Sequence, residues 1–248
     1  MKTTVIVPVY NRPDTLPLAV RSLLAHGAAV DLDILIVDDG STDETPDVIA
    51  GLIAEHDGIR SVRRENGGVA AARNTGLAHL LPETEIVTFL DSDDVMAAER
   101  FDHDLVTLRD RPEIEITYGD MVVTDRIDPD TLVPPTDAVT RRVTSVHLSC
   151  ALMRRGLVER IGLFDETLVQ AEDTDYILRV FESRTRFVQT TTLSHYYLRH
   201  PGNMTKNTDA MTRYFARAVL LSLQRRRADA SLVLDKPSFA IELPRELI

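Results

Sequence analysis

Residues 85–94 read Glu85-Ile86-Val87-Thr88-Phe89-Leu90-Asp91-Ser92-Asp93-Asp94. A short apolar run that stops on carboxylates reads as a buried strand delivering acidic side chains to its end. Toward the N-terminus the same unit recurs. Thr3 to Tyr10 is a β-branched run, Thr15 to His26 carries Leu16, Ala19, Val20, Leu23 and Leu24 at helical spacing, and Asp33 to Val37 is strand-length again. Pro46 to Glu55 is helical with Val48, Ile49, Leu52 and Ile53 inward, Ser61 to Arg64 is a short strand, and Val69 to Leu81 is an alanine-rich helix. This alternation predicts an α/β fold with a mostly parallel sheet and right-handed crossovers. Ligands of such sheets bind beyond the carboxyl ends of the strands.

That rule singles out Tyr10-Asn11-Arg12, Asp38-Asp39-Gly40-Ser41-Thr42-Asp43 and Asp91-Ser92-Asp93-Asp94, which follow three of those strands. Asp43 reads as an N-cap or turn former before Pro46. Toward the C-terminus the pattern is more mixed. Ala97 to Arg109 reads as helix and Glu115 to Thr124 as strand. Asp125 to Arg142, with Pro129, Pro134 and Pro135, reads as a long irregular excursion. Val146 to Met153 is strand-like, Gly156 to Ile161 a short helix, Thr174 to Ser183 a helix, and Phe187 to Arg199 one or two strands. Ala210 to Arg227 is an amphipathic helix with Tyr214, Phe215, Ala218, Leu221 and Leu223 among its apolar positions.

The 248 residues allow one large domain or two fused halves. A net charge of −11 without a basic run argues against a nucleic-acid partner. The single cysteine, Cys150, lies in an apolar stretch and reads as a small buried hydrophobe. No apolar run reaches the roughly 18 residues of a membrane span, so the chain reads as cytoplasmic.

Taken alone, each polar cluster has a plain reading beside a chemical one. Asp91 and Asp93 suit a divalent cation shared with substrate phosphates, yet Asp-x-Asp recurs by chance in acidic chains. Gly67-Gly68 before the alanine-rich helix permits a tight turn and also offers free N–H groups to an anion. Glu172-Asp173-Thr174-Asp175 fits a helix N-terminus on dipole grounds alone. His200, beside Pro201-Gly202 at a strand end, reads by itself as structural or solvated.

The ordered set is more specific than its parts. Residues 5–12 (Val-Ile-Val-Pro-Val-Tyr-Asn-Arg), 36–43, 67–74, 89–94, 161–166 (Ile-Gly-Leu-Phe-Asp-Glu) and 172–175 together resemble glycosyltransferase family 2 over roughly residues 3 to 205. The resemblance implies a GT-A fold: a Rossmann-like, mostly parallel sheet flanked by helices, with a mixed acceptor-binding half and a C-terminal helix. It divides the chain into a nucleotide-sugar half (1–95), an acceptor-binding and catalytic half (96–206) and a C-terminal helix and tail (207–248). It further implies inverting transfer of one sugar from a nucleoside-diphosphate sugar, a UDP-sugar first, to an acceptor it does not identify. Pro8, Tyr10 and Asp39 would contact the base, Arg73 would lie near the nucleotide and Asp91 near the ribose. Asp93 and His200 would ligate Mn²⁺ or Mg²⁺, Asp173 would be the catalytic base, and Asp94 and Glu172 would stand in the donor and acceptor vicinity.

Without a tryptophan the chain lacks the Gln-x-x-Arg-Trp motif of processive synthases, so single addition is expected. Two other readings stand beside this one. Asp91-Ser92-Asp93-Asp94-Val95 also fits a haloacid-dehalogenase-like phosphatase with Asp91 as nucleophile, although that motif normally follows the first strand. A non-catalytic nucleotide-sugar-binding protein is the third. Arg225-Arg226-Arg227 closes the C-terminal helix, whose plain reading is packing on its own domain or in a homodimer with the arginines in solvent. A peripheral contact at the inner membrane face is the alternative.

Overall fold

The computed structural model describes residues 1–200, 202 and 208–239. The remainder of the late histidine motif (Pro201, Asn203, Met204, Thr205), the 206/207 boundary and the end of the tail lie outside the described residues.

The first strands form because they bury both faces. In β1 (Thr3–Val9) and β2 (Leu32–Asp38), Val5, Val7, Val9, Ile34 and Ile36 enter one core, while Ile6, Leu35 and Val37 enter another on the opposite side. A parallel sheet covered on both sides reads as an unbroken apolar run for this reason. Helices α1 (Leu16–Leu24) and α2 (Thr45–Glu55) cover the first face. On the other lies α3 (Val69–Ala78) with Ala70 and Ala72. A Cβ at Gly76 would stand 2.5 Å from Ile6 Cγ2, so α3 meets β1 as closely as it does only because position 76 has no side chain.

Strands β3 (Ile59–Arg63), β2, β1 and β4 (Ile86–Phe89) are parallel, with Val9 opposite Asp38 and Asp38 opposite Arg63. Their carboxyl ends therefore share one edge. The sheet continues from β4 through β8 (Ala151–Arg154), β6 (Ile116–Thr124) and β9 (Phe187–Leu198) to β5 (Val95–Met96), with β7 (Thr140–Val143) on β6. Helices α4 (Asp102–Asp110), α5 (Arg155–Ile161), α6 (Glu172–Glu182) and α7 (Thr208–Ala228) complete the described chain.

Four expectations need correction. Val146 to Met153 is not one strand. A 3-10 turn over Leu148–Cys150 precedes β8, and Tyr118 Oη fixes the entering chain by bonding the Ser145 and His147 carbonyls at 2.9 and 3.0 Å. The helix expected from Ala97 begins only at Asp102, after Val95 and Met96 pair with Tyr196 and His195. The irregular excursion ends as β7, because residues 140–143 find backbone partners on Met121–Thr124. In α7, Ala218 is buried but Phe215 (50% exposed) and Leu223 (37%) face outward. That helix is also held by ions: Arg225 bonds Glu182 at 2.9 Å and Asp175 at 2.6 Å, both buried acids of α6. Cys150 is buried, as expected, and burial pushes its thiol up to about 12.

Candidate active site

At the ends of β1 and β2 the backbone is tied together by side chains. Asn11, at φ 51°, accepts from the Thr42 amide at 2.8 Å and donates its own amide to Ser41 Oγ at 3.0 Å. Asn is one of the few residues that takes this left-handed conformation cheaply. Pro8 is buried within β1 opposite Val37. Tyr10, by contrast, stands 45% exposed at the rim.

Asp39 is buried at the end of β2 and accepts from the Gly67 and Gly68 amides at 3.1 and 2.8 Å. Arg64 pairs with the same carboxylate. The Gly67 and Gly68 N–H groups ahead of α3, which the sequence offers to an external anion, are therefore taken by the chain's own aspartate. Gly68, at φ 89°, adopts a conformation that a side chain would strain.

Arg73 lies on α3, buried between the two acidic motifs. It donates to Asp91 Oδ1 at 2.8 Å and pairs with Glu172 across 99 residues of sequence. Burial disfavours its charge, but Asp91, Glu172 and Asp173 outweigh that and hold it protonated. Burial likewise pushes Asp91 up, yet Arg73 and His147 more than offset it and leave this carboxyl below its ordinary range. Glu172 is pushed up to about 7, burial and the charge of Asp173 outweighing Arg73. Next to Arg73, Asn74 binds the Phe164 backbone in both directions (2.8 and 3.1 Å) and Glu166 Oε1 at 2.8 Å, which fastens the 161–166 motif to α3.

Asp93 and His200, 107 residues apart, meet with Oδ2 and Nε2 2.9 Å apart. Arg12 Nε stands 3.8 Å from the same carboxylate oxygen, and its terminal nitrogen donates to the Gly202 carbonyl at 3.0 Å. Asp173 enters on the first turn of α6 after Ala171, which is left-handed at φ 59°. Glu172 is paired with Arg73 and Asp175 with Arg179 and Arg225, whereas no described cation lies within ion-pair distance of Asp173. Its Oδ1 accepts from the Thr174 amide at 2.6 Å.

Asp94 turns the other way and is fully buried. Its Oδ1 accepts from the Leu198 amide at 3.0 Å, and Oδ2 faces His147 and His195 at 3.8 and 3.7 Å. Burial, reinforced by Asp93 and Asp91, raises this carboxyl well above its ordinary range. Arg64, His147 and His195 were given no role from the sequence, and Arg12 appeared there only within the strand-end segment Tyr10-Asn11-Arg12. The partners of each are distant in sequence, so no local pattern marks the pairing.

The family model described as glycosyl transferase family 2 matches residues 4–162, from β1 to the end of α5. A succinoglycan biosynthesis protein, ExoW, of Rhizobium meliloti (strain 1021) is 32% identical over 196 residues, covering 69% of this chain and 61% of its own. The chain thus spans less than two thirds of the length of the first curated relatives it matches. Among solved structures, S. aureus TarS 1–349 in complex with UDP-GlcNAc superposes with a TM-score of 0.68 at 20% identity, over 89% of this chain and 67% of that one. The mannosyltransferase PcManGT from Pyrobaculum calidifontis, in complex with GDP-Man and Mn2+, gives 0.66 at 21%, over 90% and 64%. The fold is GT-A, and its acidic strand ends fall within or beside the segment that the family model matches. On that match, the chain belongs to glycosyl transferase family 2.

Proposed function

We propose that this chain is an inverting glycosyltransferase that moves one sugar from a nucleoside-diphosphate sugar, a UDP-sugar first, to a hydroxyl acceptor. The observation that carries the reading is the meeting of Asp93 with His200 at 2.9 Å, on the sheet edge where Asp39 and Asp91 also end their strands. A carboxylate and an imidazole are a fitting donor set for Mn²⁺ or Mg²⁺, with Mn²⁺ favoured by the nitrogen. When bound there, the ion supplies Lewis-acid neutralisation of the departing diphosphate. The nucleotide-sugar complexes among the structural neighbours support the donor class.

In this reading Pro8, Tyr10 and Asp39 bound the base subsite, and Arg73 fixes Asp91 toward the ribose. Asp173, left without a described cation, takes the acceptor proton as its oxygen attacks the anomeric carbon. Glu172 and Asp94 brace the two sides. Residues 1–95 then form the donor half, 96–206 the acceptor half, and 207–248 an appended helix and tail. Membership of the family leaves the phosphatase reading of Asp91 without support, and Asp91 follows the fourth strand, not the first.

The test is a thermal-shift panel of UDP, GDP and dTDP with and without Mn²⁺. We expect one diphosphate to raise the melting temperature only when metal is present, with the effect lost in Asp93→Asn. Absence of any metal-dependent shift across the panel overturns the metal assignment.

A further inference from the structure

Behind the donor edge lies a second constellation whose two histidines have no part in the proposed reaction. Asp94 Oδ2, His147 Nε2 and His195 Nε2 converge from three elements: the loop after β4, the residue before the 3-10 turn, and β9. All three residues are buried, and their ligand atoms lie within 4.8 Å of one another. At 3.7 and 3.8 Å the histidine nitrogens are too far from Asp94 Oδ2 for hydrogen bonds. Asp94 Oδ2 and both ring nitrogens of His195 have no hydrogen-bond partner among the described residues. Buried polar atoms left without a partner are costly, and two of these, Asp94 Oδ2 and His195 Nε2, are aimed at one point with His147 Nε2, which calls for an occupant.

We propose that Asp94, His147 and His195 bind a zinc ion, separate from the donor metal at Asp93 and His200, which braces the acidic loop against β9. Two neutral imidazoles and one carboxylate are a donor set zinc takes readily. Tetrahedral ligands at zinc distances stand about 3.3 Å apart, so the two carboxylate–imidazole separations need to close by about half an ångström, and the two imidazole nitrogens, within 4.8 Å of each other, by at most about 1.5 Å. Asp91 Oδ2 lies 3.6 Å from the same His147 nitrogen, and the fourth position is left to a water. The charge also fits, since a divalent cation answers the crowding of Asp91, Asp93 and Asp94 on one loop. Ligation through His147 Nε2 places the ring proton on Nδ1. The contact given up there is a marginal one, 3.4 Å from the Ser149 amide. Ser149 Oγ, buried and otherwise without a partner among the described residues, is an acceptor on that same residue.

The full chain, stripped with chelator and free of nucleotide, is titrated with Co²⁺ as a visible probe and then with Zn²⁺. We expect one equivalent of Co²⁺ with d–d absorption in the visible, bleached by Zn²⁺, together with a rise in melting temperature. His195→Ala and His147→Ala lose both signals, and Asp93→Asn keeps both. X-ray absorption on wild-type chain loaded with one Zn²⁺ provides a reading that no variant's misfolding can confound, and two imidazoles in the first shell are expected. No stoichiometric binding in the wild type overturns the proposal. So does one imidazole in the absorption spectrum, or a signal that survives in His195→Ala and vanishes in Asp93→Asn.

Discussion

Asp173 and Glu172 are neighbours with opposite surroundings, and that contrast sets their expected behaviour. Asp173→Asn removes a proton acceptor without touching the donor edge. Turnover should fall about 10²–10⁴-fold, equivalent to about 3–5 kcal/mol, while calorimetry detects nearly unchanged metal-dependent diphosphate binding. Wild-type-like turnover in that variant removes Asp173 as the base. Glu172 is raised from 4.5 to about 7 by burial, so the folded state keeps its proton where the unfolded state has lost it. Its contribution to stability is complete below pH 4.5 and declines as pH rises to about 7, by at most about 3 kcal/mol. Urea melts should therefore show wild type losing more stability than Glu172→Gln between pH 5 and 8, and equal losses would sink this assignment. Asp93 with His200 was legible in the sequence only through the ordered family motifs, because nothing local joins positions 107 apart. His147 and His195 were not legible at all: a single histidine within a strand-like stretch has the same pattern whether it packs or faces a carboxylate.

Among the elements, β1, β2 and β4 were readable because each is buried on both faces, and their helices because they are long enough to carry their own periodicity; β3, at the sheet edge with Ser61 and Arg63 exposed, shows less of its length. The two-residue β5 has no such period and exists only because Tyr196 and His195 pair with it. The turn at Leu148–Cys150 escaped notice for a similar reason: its cause is the Tyr118 hydroxyl, 27 and 29 residues away from the carbonyls it holds. Helix α7 read as amphipathic, but charge does much of its docking. Replacing Arg225 with alanine leaves Glu182 and Asp175 short of their hydrogen bonds, with only Arg226 at 3.7 Å and Arg179 at 2.9 Å remaining. Chemical denaturation should register a loss of about 2 kcal/mol. A loss no larger than that of an exposed Arg213→Ala control would mean that α7 is held by its apolar contacts alone.

At the scale of the whole molecule, none of the helices among the described residues is long and apolar enough to cross a membrane. The outward Phe215 and Leu223 of α7, with Leu220 57% exposed, support an external contact for that helix. A second copy and an anionic bilayer are the alternatives. Sedimentation equilibrium that deepens with concentration selects the first, and salt-sensitive pelleting with anionic vesicles selects the second. Neither effect would leave the helix as a surface of its own domain. Asp39 also has a consequence for the crowded solution around the protein. By holding the Gly67 and Gly68 amides itself, it withdraws two N–H groups at the head of α3 from inorganic phosphate. Millimolar orthophosphate should therefore gain no foothold at this glycine pair, and the donor need not outbid it there.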